Sequence, residues 1–470
     1  MIKKTKIVCT LGPAVDNVDI LSSMLLAGMN VARLNFSHGT HEEQGGRAER
    51  VREASKKTSI PVAILLDTKG PEIRTKSLKD GKEISLTQGQ EFFFTTDDIV
   101  GDNKGVSVTY ADFVKDMSIN KTILVDDGLL AFTVTKIEGN KVYTTLLNDG
   151  FLGEKKGVNL PDMKINLPAL SETDIADLVF GCSIGIDFVA ASFIRKGSDV
   201  LEVRKILDAN GGKNIKIISK IENQEGLDNF PEILLVSDGI MVARGDLGVE
   251  IPMAKIPFAQ KNMIALCNEV GKPVITATQM LDSMIKNPNP TRAEVTDVAN
   301  AILDGTDAIM LSGETAKGLY PLQAVVAMTK IANEIDPYLE SMSVDFEERV
   351  DVTEAVARGT VEVCSACGAK AIAIGTHTGR SALSVRKYFP KAPILAVVDN
   401  EQVARQLLLV KGVYSIVDDT LFGHEEIARV ALKACQEVLN LQKGDTIVVS
   451  YGQEIFISGT TNSLRVLEIR

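Results

Sequence analysis

The chain has 470 residues, of which 45% are hydrophobic and 24% charged, and its formal net charge is −11. At roughly 100–200 residues per domain this is material for about three domains, and it excludes disorder, collagen-like structure and a disulfide-stapled miniprotein. The acidic surplus argues against a dedicated binder of nucleic acid or of an anionic membrane, while small anionic substrates stay open because they depend on local groups.

Behind the basic start Met1–Lys6, the apolar run Ile7–Gly12 is too short for a secretory signal. No stretch approaches the roughly 18 apolar residues that a membrane span needs. Cys9, Cys182, Cys267 and Cys435 are isolated in apolar surroundings, and Cys364 and Cys367 form a lone C-x-x-C without a second ligand pair, read as plain helix residues. A reduced, cytoplasmic protein is expected.

Short Val- and Ile-rich runs alternate with amphipathic helical segments, the pattern of parallel strands buried on both faces. The first three are expected at Lys6–Thr10, Asn30–Phe36 and Val62–Asp67. Residues 71–167 then read differently. Alternating strands such as Glu91–Thr96, Lys121–Val125 and Lys141–Thr145 are separated by the turn signals Asp80-Gly81, Asp127-Gly128, Gly139-Asn140 and Asp149-Gly150, which predicts an antiparallel all-β insert. Five more strands follow at Asp187–Phe193, Ile215–Glu222, Gly239–Asp246, Pro273–Gln279 and Asp307–Glu314. Eight βα units predict an α/β fold built on a (β/α)8 TIM barrel made of residues 1–70 and 168–345. The insert leaves after a strand, so it belongs at the C-terminal face as a mobile lid, expected as a small all-β barrel domain. From 346 to 470 a further α/β domain is expected, with strands at Ala371–Gly375, Ile394–Val398, Gly412–Ile416, Asp445–Ser450 and Leu464–Ile469.

Strand ends at the C-terminal face of a barrel carry its chemistry. Here they supply Arg33, Asn35 and Ser37; Asp67 and Thr68; Ser192; Lys220 and Glu222; Arg244 and Asp246; Thr278; and Ser312 with Glu314. Lys220 and Glu222 are two apart and share a strand face. Glu222 and Asp246 could together hold one divalent ion with few protein ligands, which suits Mg2+, and a Lys beside it suits charge on a moving phosphoryl group; a buried salt bridge would leave the same trace. Asn35, Ser37, Asp67 and Thr68 form an oxygen-only cluster with one formal charge, fit for a monovalent cation or for ordinary hydrogen bonding. Arg33 and Arg74 flank it as candidate phosphate clamps. Further on, Thr376, His377, Thr378, Gly379, Arg380 and Ser381 follow a strand and precede a helix, in the manner of a phosphate cradle or of a plain βα loop. The hydroxyl-rich turn Ser458–Asn462 is a candidate second wall of that pocket. No P-loop or Rossmann fingerprint occurs, nor H-E-x-x-H or G-x-S-x-G.

These stretches resemble the pyruvate kinase family along essentially the whole chain. The matching segments are Lys6–Pro13, Met29–Gly39, Leu66–Arg74, Lys156–Pro161, Ile218–Gly226, Met241–Gly248, Thr276–Leu281, Pro290–Glu294 and Met310–Lys317. The resemblance implies phosphoryl transfer from phosphoenolpyruvate to ADP. It implies Glu222 and Asp246 as ligands of Mg2+ or Mn2+, Lys220 as stabiliser of the transferring phosphoryl, and Arg33 on the substrate phosphate. Gly245, Asp246 and Thr278 would hold the carboxylate end, with Thr278 near the site of enolate protonation. Asn35, Phe36, Ser37, His38, Arg74 and Lys156 would contact the nucleotide, and Asn35, Ser37, Asp67 and Thr68 would bind K+, with Glu72 favouring K+ dependence. The loop Thr376–Ser381 would take a sugar phosphate such as fructose 1,6-bisphosphate, and Pro290–Glu294 would lie in a homotetramer contact. The alternatives are another barrel enzyme of enolate chemistry and a non-catalytic sugar-phosphate sensor; intact Lys220, Glu222 and Asp246 speak against the second.

Overall fold

The computed structural model describes residues 3–161, 163, 165–339, 350–418, 424–452 and 461–470. Eight parallel strands close into a barrel: β1 (Lys6–Thr10), β2 (Val31–Asn35), β3 (Ala63–Asp67), β4 (Phe188–Ala191), β5 (Lys216–Ile221), β6 (Gly239–Ala243), β7 (Val274–Ala277) and β8 (Ala308–Leu311). β1 pairs with both β2 and β8, so no edge is left unpaired. The continuous apolar runs are explained by burial on two sides. Val8, Val31, Leu65, Phe188, Ile218 and Met241 fill the interior, while Ile7, Leu34, Ile64, Val189 and Ile217 pack under the surrounding helices.

Every expected barrel strand forms, but several of the expected ends run on too far, three of them into the site. β6 stops at Ala243 and helix α3 (Arg244–Glu250) follows at once, which puts Asp246 in a first helical turn instead of on a strand. β7 stops at Ala277, because Thr278 and Gln279 take left-handed φ of 66° and 53°. β8 stops at Leu311, ahead of a helical turn at Gly313–Ala316. In each case the chain bends sharply where polar residues begin.

Two other helices matter for the site. Helix α1 (His41–Thr58) starts from a capping box between Thr40 and Glu43, and α2 (Glu172–Ser183) from one between Ser171 and Asp174.

The insert holds a two-stranded ribbon and a six-stranded sheet around Phe92, Phe94, Phe113 and Phe132. Its sheet is not wholly antiparallel as expected: Glu91–Thr95 and Gly105–Ser107 pair in parallel, joined by a crossover instead of a hairpin. The two outer strands, Val158–Asn159 and Gly105–Ser107, are linked by the segment 73–76. Thr75 N–H donates to Lys156 O at 2.8 Å and Lys76 N–H to Ser107 O at 2.8 Å, which closes the sheet into a small barrel.

The last domain is a five-stranded sheet, parallel except for its final pair, with helix α4 (Arg380–Arg386) after the strand Ala371–Gly375. Cys364 and Cys367 sit at the end of the helix Val352–Ala366, one buried and one exposed. Among the described residues no helix is long and apolar enough to cross a membrane.

Candidate active site

The strand ends of β2, β3, β4 and β5 bring one cluster together. Lys220 is 9% exposed, and its Nζ lies 2.9 Å from Glu222 Oε1, 3.1 Å from Asp67 Oδ1 and 2.8 Å from Ser192 Oγ. Arg33 reaches the other oxygen of the same aspartate, Nε to Oδ2 at 2.6 Å, and donates to Thr10 Oγ1 at 2.8 Å. Asp67 therefore serves two cations at once. Spacing along the chain could not have shown this, because the partners lie on three different strands. Ser192, which spacing placed at a strand end without a role, ties the group together by also donating to Thr68 O at 2.6 Å.

The electrostatics follow from that packing. Burial works against the charge on Lys220, but Asp67, Glu222 and Asp246 outweigh it and hold the ammonium above its ordinary value. Burial likewise opposes ionisation of Asp67, and Arg33 with Lys220 overcome it, keeping this carboxyl below the usual range. Glu222 goes the other way. Burial and the like charge of Asp246 push its carboxyl up despite Lys220, while its second oxygen accepts the Phe193 N–H at 2.6 Å. Two carboxylates that repel each other are a donor set in want of a cation. Among the described residues no third His, Cys, Asp or Glu joins them in a metal-binding group, so the set is the sparse one that suits an ion keeping water and substrate oxygens.

Thr278 and Gly245 meet directly. The Gly245 N–H donates to Thr278 Oγ1 at 2.7 Å, and that hydroxyl donates to Ala277 O at 2.7 Å. A positive φ is strained for a β-branched residue and persists only where neighbours enforce it. Arg244 does so by donating to Thr278 O at 2.8 Å while paired with Asp297 at 2.8 Å.

The second cluster also assembles. Asn35 and Asp67 are register partners, and Asn35 Oδ1 accepts the Ser37 N–H at 3.1 Å. Thr68 Oγ1 accepts the Ser192 N–H at 3.0 Å. His38 is exposed, whereas the Phe36 side chain is buried against His41 and Phe180, which leaves its backbone as the part that can contact a ligand.

Between insert and barrel lies a cleft of about 530 Å³, lined by Glu72, Arg74, Asp126 and Lys156 from the insert side and by Asn223 and Asp246 from the barrel. Arg74 pairs with Glu72 at 2.5 Å and Lys156 with Asp126 at 2.9 Å, so each cation of the cleft wall has a carboxylate partner in that wall. Asp126 and Asp127 were legible only as a turn. Burial, with Asp246 and Asp126 adding like charge, pushes the Asp127 carboxyl up.

In the C-terminal domain, Thr376 Oγ1 accepts the Gly379 N–H at 3.1 Å, and His377 Nδ1 lies 2.7 Å from Asp399 Oδ2. Arg380 is largely exposed, and Ser381 Oγ meets Thr461 Oγ1 at 2.6 Å, which joins the end of the turn Ser458–Asn462 to this loop. Residues 458–460 of that turn lie outside the described residues. Thr378 stands between His377 and the left-handed Gly379.

A closed (β/α)8 barrel whose strand ends gather buried cations and carboxylates beneath an inserted β domain defines a barrel enzyme acting on small anionic substrates. The family description "Pyruvate kinase, barrel domain" matches residues 2–325, and "Pyruvate kinase, alpha/beta domain" matches 354–467. A pyruvate kinase of Clostridium acetobutylicum is 50% identical over 99% of both chains, and one of Geobacillus stearothermophilus is 48% identical over 99% of this chain and 80% of its own. The crystal structure of a pyruvate kinase from Cryptosporidium parvum superposes with a TM-score of 0.94 at 41% identity, covering 100% of this chain and 96% of that one. The chain belongs to the pyruvate kinase family and is a phosphotransferase.

Proposed function

We propose that the protein transfers the phosphoryl group of phosphoenolpyruvate to ADP, giving pyruvate and ATP as a cytoplasmic step of glycolysis. The observation that carries this reading is Lys220, a buried ammonium braced by Asp67 and Glu222 beside a cleft that collects Arg74, Lys156 and Asp246. Phosphoryl transfer asks for little covalent chemistry from the protein and much positioning and charge neutralisation. Lys220, kept charged by its carboxylates, meets the phosphoryl in flight. Arg33, held by Asp67 and Thr10, meets the substrate phosphate. Gly245, Asp246 and Thr278 hold the carboxylate end. Thr278 lies where the enolate takes its proton; its hydroxyl is engaged with Ala277 O and must turn to serve that step.

Glu222 and Asp246 would hold Mg2+ or Mn2+, which neutralises phosphoryl charge when bound. Asn35, Ser37, Asp67 and Thr68 would hold K+: three neutral side chains and a carboxylate already shared with two cations leave a weak field, better matched to a monovalent ion. Asn35–His38, Arg74 and Lys156 take the nucleotide. We assign catalysis to a barrel of residues 1–70 and 168–345, closure over the nucleotide to a lid of 71–167, and binding of a sugar phosphate, fructose 1,6-bisphosphate in the first instance, to 346–470 through Thr376–Ser381. A homotetramer is the assembly we assign. Lid closure would exclude water, which competes as a phosphoryl acceptor.

The test is a coupled assay for pyruvate with each component withdrawn in turn. Activity should vanish without a divalent ion, drop without K+, and rise with fructose 1,6-bisphosphate at low phosphoenolpyruvate. Full activity without any divalent ion would overturn the site reading.

A further inference from the structure

The segment between β2 and α1 is short and carries much of the proposed site, yet most of what holds it comes from elsewhere. Asn35 Oδ1 accepts the Ser37 N–H, and Gly39 turns the chain with φ 77° into the capped start of α1. Neither contact fixes the loop against the rest of the molecule. Gln44 does. It sits in the second turn of α1 at 2% exposure, and its amide group donates both hydrogens back to the loop, to Asn35 O at 2.8 Å and to His38 O at 2.7 Å. Its own Oε1 is buried without a hydrogen-bond partner among the described residues. Burying an unpaired carbonyl costs stability, so this glutamine is a poor choice for holding the fold and a specific one for holding two carbonyls three residues apart.

The helix that carries Gln44 is itself fastened. His41 opens α1; its Nε2 lies 2.6 Å from Asp177 Oδ1, and its ring stacks on Phe180 at 4.5 Å with planes 4° apart. Asp177 and Phe180 are both on α2, and the loop's own Phe36 packs against His41 and Phe180 at 6.0 and 6.2 Å between centroids. The loop is thus gripped at its carbonyls by Gln44 and at its aromatic ring by the His41–Phe180 stack.

We propose that Gln44 and His41 are positioning residues for the nucleotide and the monovalent cation: Gln44 fixes the Asn35 and His38 backbone, and His41, tied to Asp177, fixes the helix from which Gln44 reaches. This inference rests on the reading of Asn35–His38 as part of the nucleotide and cation site. Neither residue touches the reacting atoms, so the effect falls on ligand affinity instead of on the chemical step.

The experiment measures KM for ADP, the half-activating K+ concentration, KM for phosphoenolpyruvate and kcat in the full-length protein, and the ADP dissociation constant by calorimetry with and without K+, which should move with the first two. Gln44→Leu keeps the buried volume and removes both bonds. The ADP and K+ constants should each rise roughly tenfold, the loss of about one or two hydrogen bonds, while kcat at saturation and KM for phosphoenolpyruvate stay within about twofold. His41→Ala reaches the same loop by the other route and should shift the same two constants in the same direction; it carries the test should Gln44→Leu fail to fold. Equal rises in both substrate constants, or a fall in kcat alone, would show a merely structural role and overturn the proposal. Asn35→Ala separates the two levels. If it leaves the ADP and K+ dependence unchanged, the site reading fails; if it moves them and the Gln44 and His41 variants do not, the positioning proposal fails by itself.

Discussion

Lys220 owes its charge to its neighbours. An isolated ammonium at this depth would lose its proton, and here Asp67, Glu222 and Asp246 reverse that tendency. Removing it should therefore cost chemistry more than binding. Lys220→Met is expected to lower kcat by at least roughly a thousandfold while phosphoenolpyruvate and Mg2+ still bind, as read by calorimetry; comparable loss of binding would contradict the role. At this scale the sequence was informative about which residues stand at the site, since apolar runs that end in Arg, Asp, Lys, Glu or Thr mark strand ends. It was silent on pairing. Nothing in the spacing says that Asp67 faces Arg33 and Lys220 at once, or that Ser192 joins them, because those contacts are made across strands that are up to 153 residues apart.

Elements explain how the insert is attached. Asp174, fully buried in the first turn of α2, accepts the Gly70 N–H at 2.9 Å with one oxygen and the Ser171 N–H at 2.9 Å with the other. It thereby pins the chain just before it leaves for the insert and just after it returns. Gly70 can make this bend because its φ is 75°, and a Cβ there would meet Phe193 at 2.7 Å and Ser192 at 2.8 Å. Arg195 grips the returning chain, donating to Ile165 O at 2.9 Å and Leu167 O at 2.7 Å. Asp174→Ala should cost about 1 kcal/mol through the lost cap. It should also raise KM for ADP several-fold and speed amide exchange at residues 69–71; unchanged exchange there would mean that the hinge is held by other contacts. The insert was legible as a β domain because its alternation and turn pairs are local. A small barrel was expected, but not the contacts that make it: the parallel pair needs a crossover where alternation suggests a hairpin, and segment 73–76 bonds to strands much further along the insert.

At the scale of the molecule, the C-terminal domain completes the barrel instead of hanging from it. Leu408 and Leu409 enter the interior cluster formed by Val8, Val31, Ile218 and Met310, and close the end opposite the site. Around them Arg386 pairs with Asp307 at 2.6 Å, Arg405 with Asp187 at 2.9 Å and Lys411 with Asp336 at 3.1 Å. Leu409→Ala should destabilise the protein by about 2–5 kcal/mol and lower a transition shared by barrel and C-terminal domain in calorimetry; a shift confined to one domain would contradict the shared core. The same contact carries a pH signature. Burial opposes the charge on Asp336, but Lys411 and the Thr5 hydrogen bonds outweigh it and hold its carboxyl below the usual range. A depressed folded-state value stabilises above the unfolded value of about 3.9 and is lost as pH falls through the folded one. Thermal stability should thus decline below about pH 4, and less steeply in Asp336→Asn. No local pattern announces this docking: Leu407-Leu408-Leu409 reads as any apolar run.

The most direct test of the central claim is product stoichiometry. Incubated with phosphoenolpyruvate, ADP, Mg2+ and K+, the protein should form pyruvate and ATP in equal amounts, and Lys220→Met should form neither at a comparable rate. Pyruvate released with inorganic phosphate in place of ATP, or no pyruvate from the wild-type protein, would contradict the account.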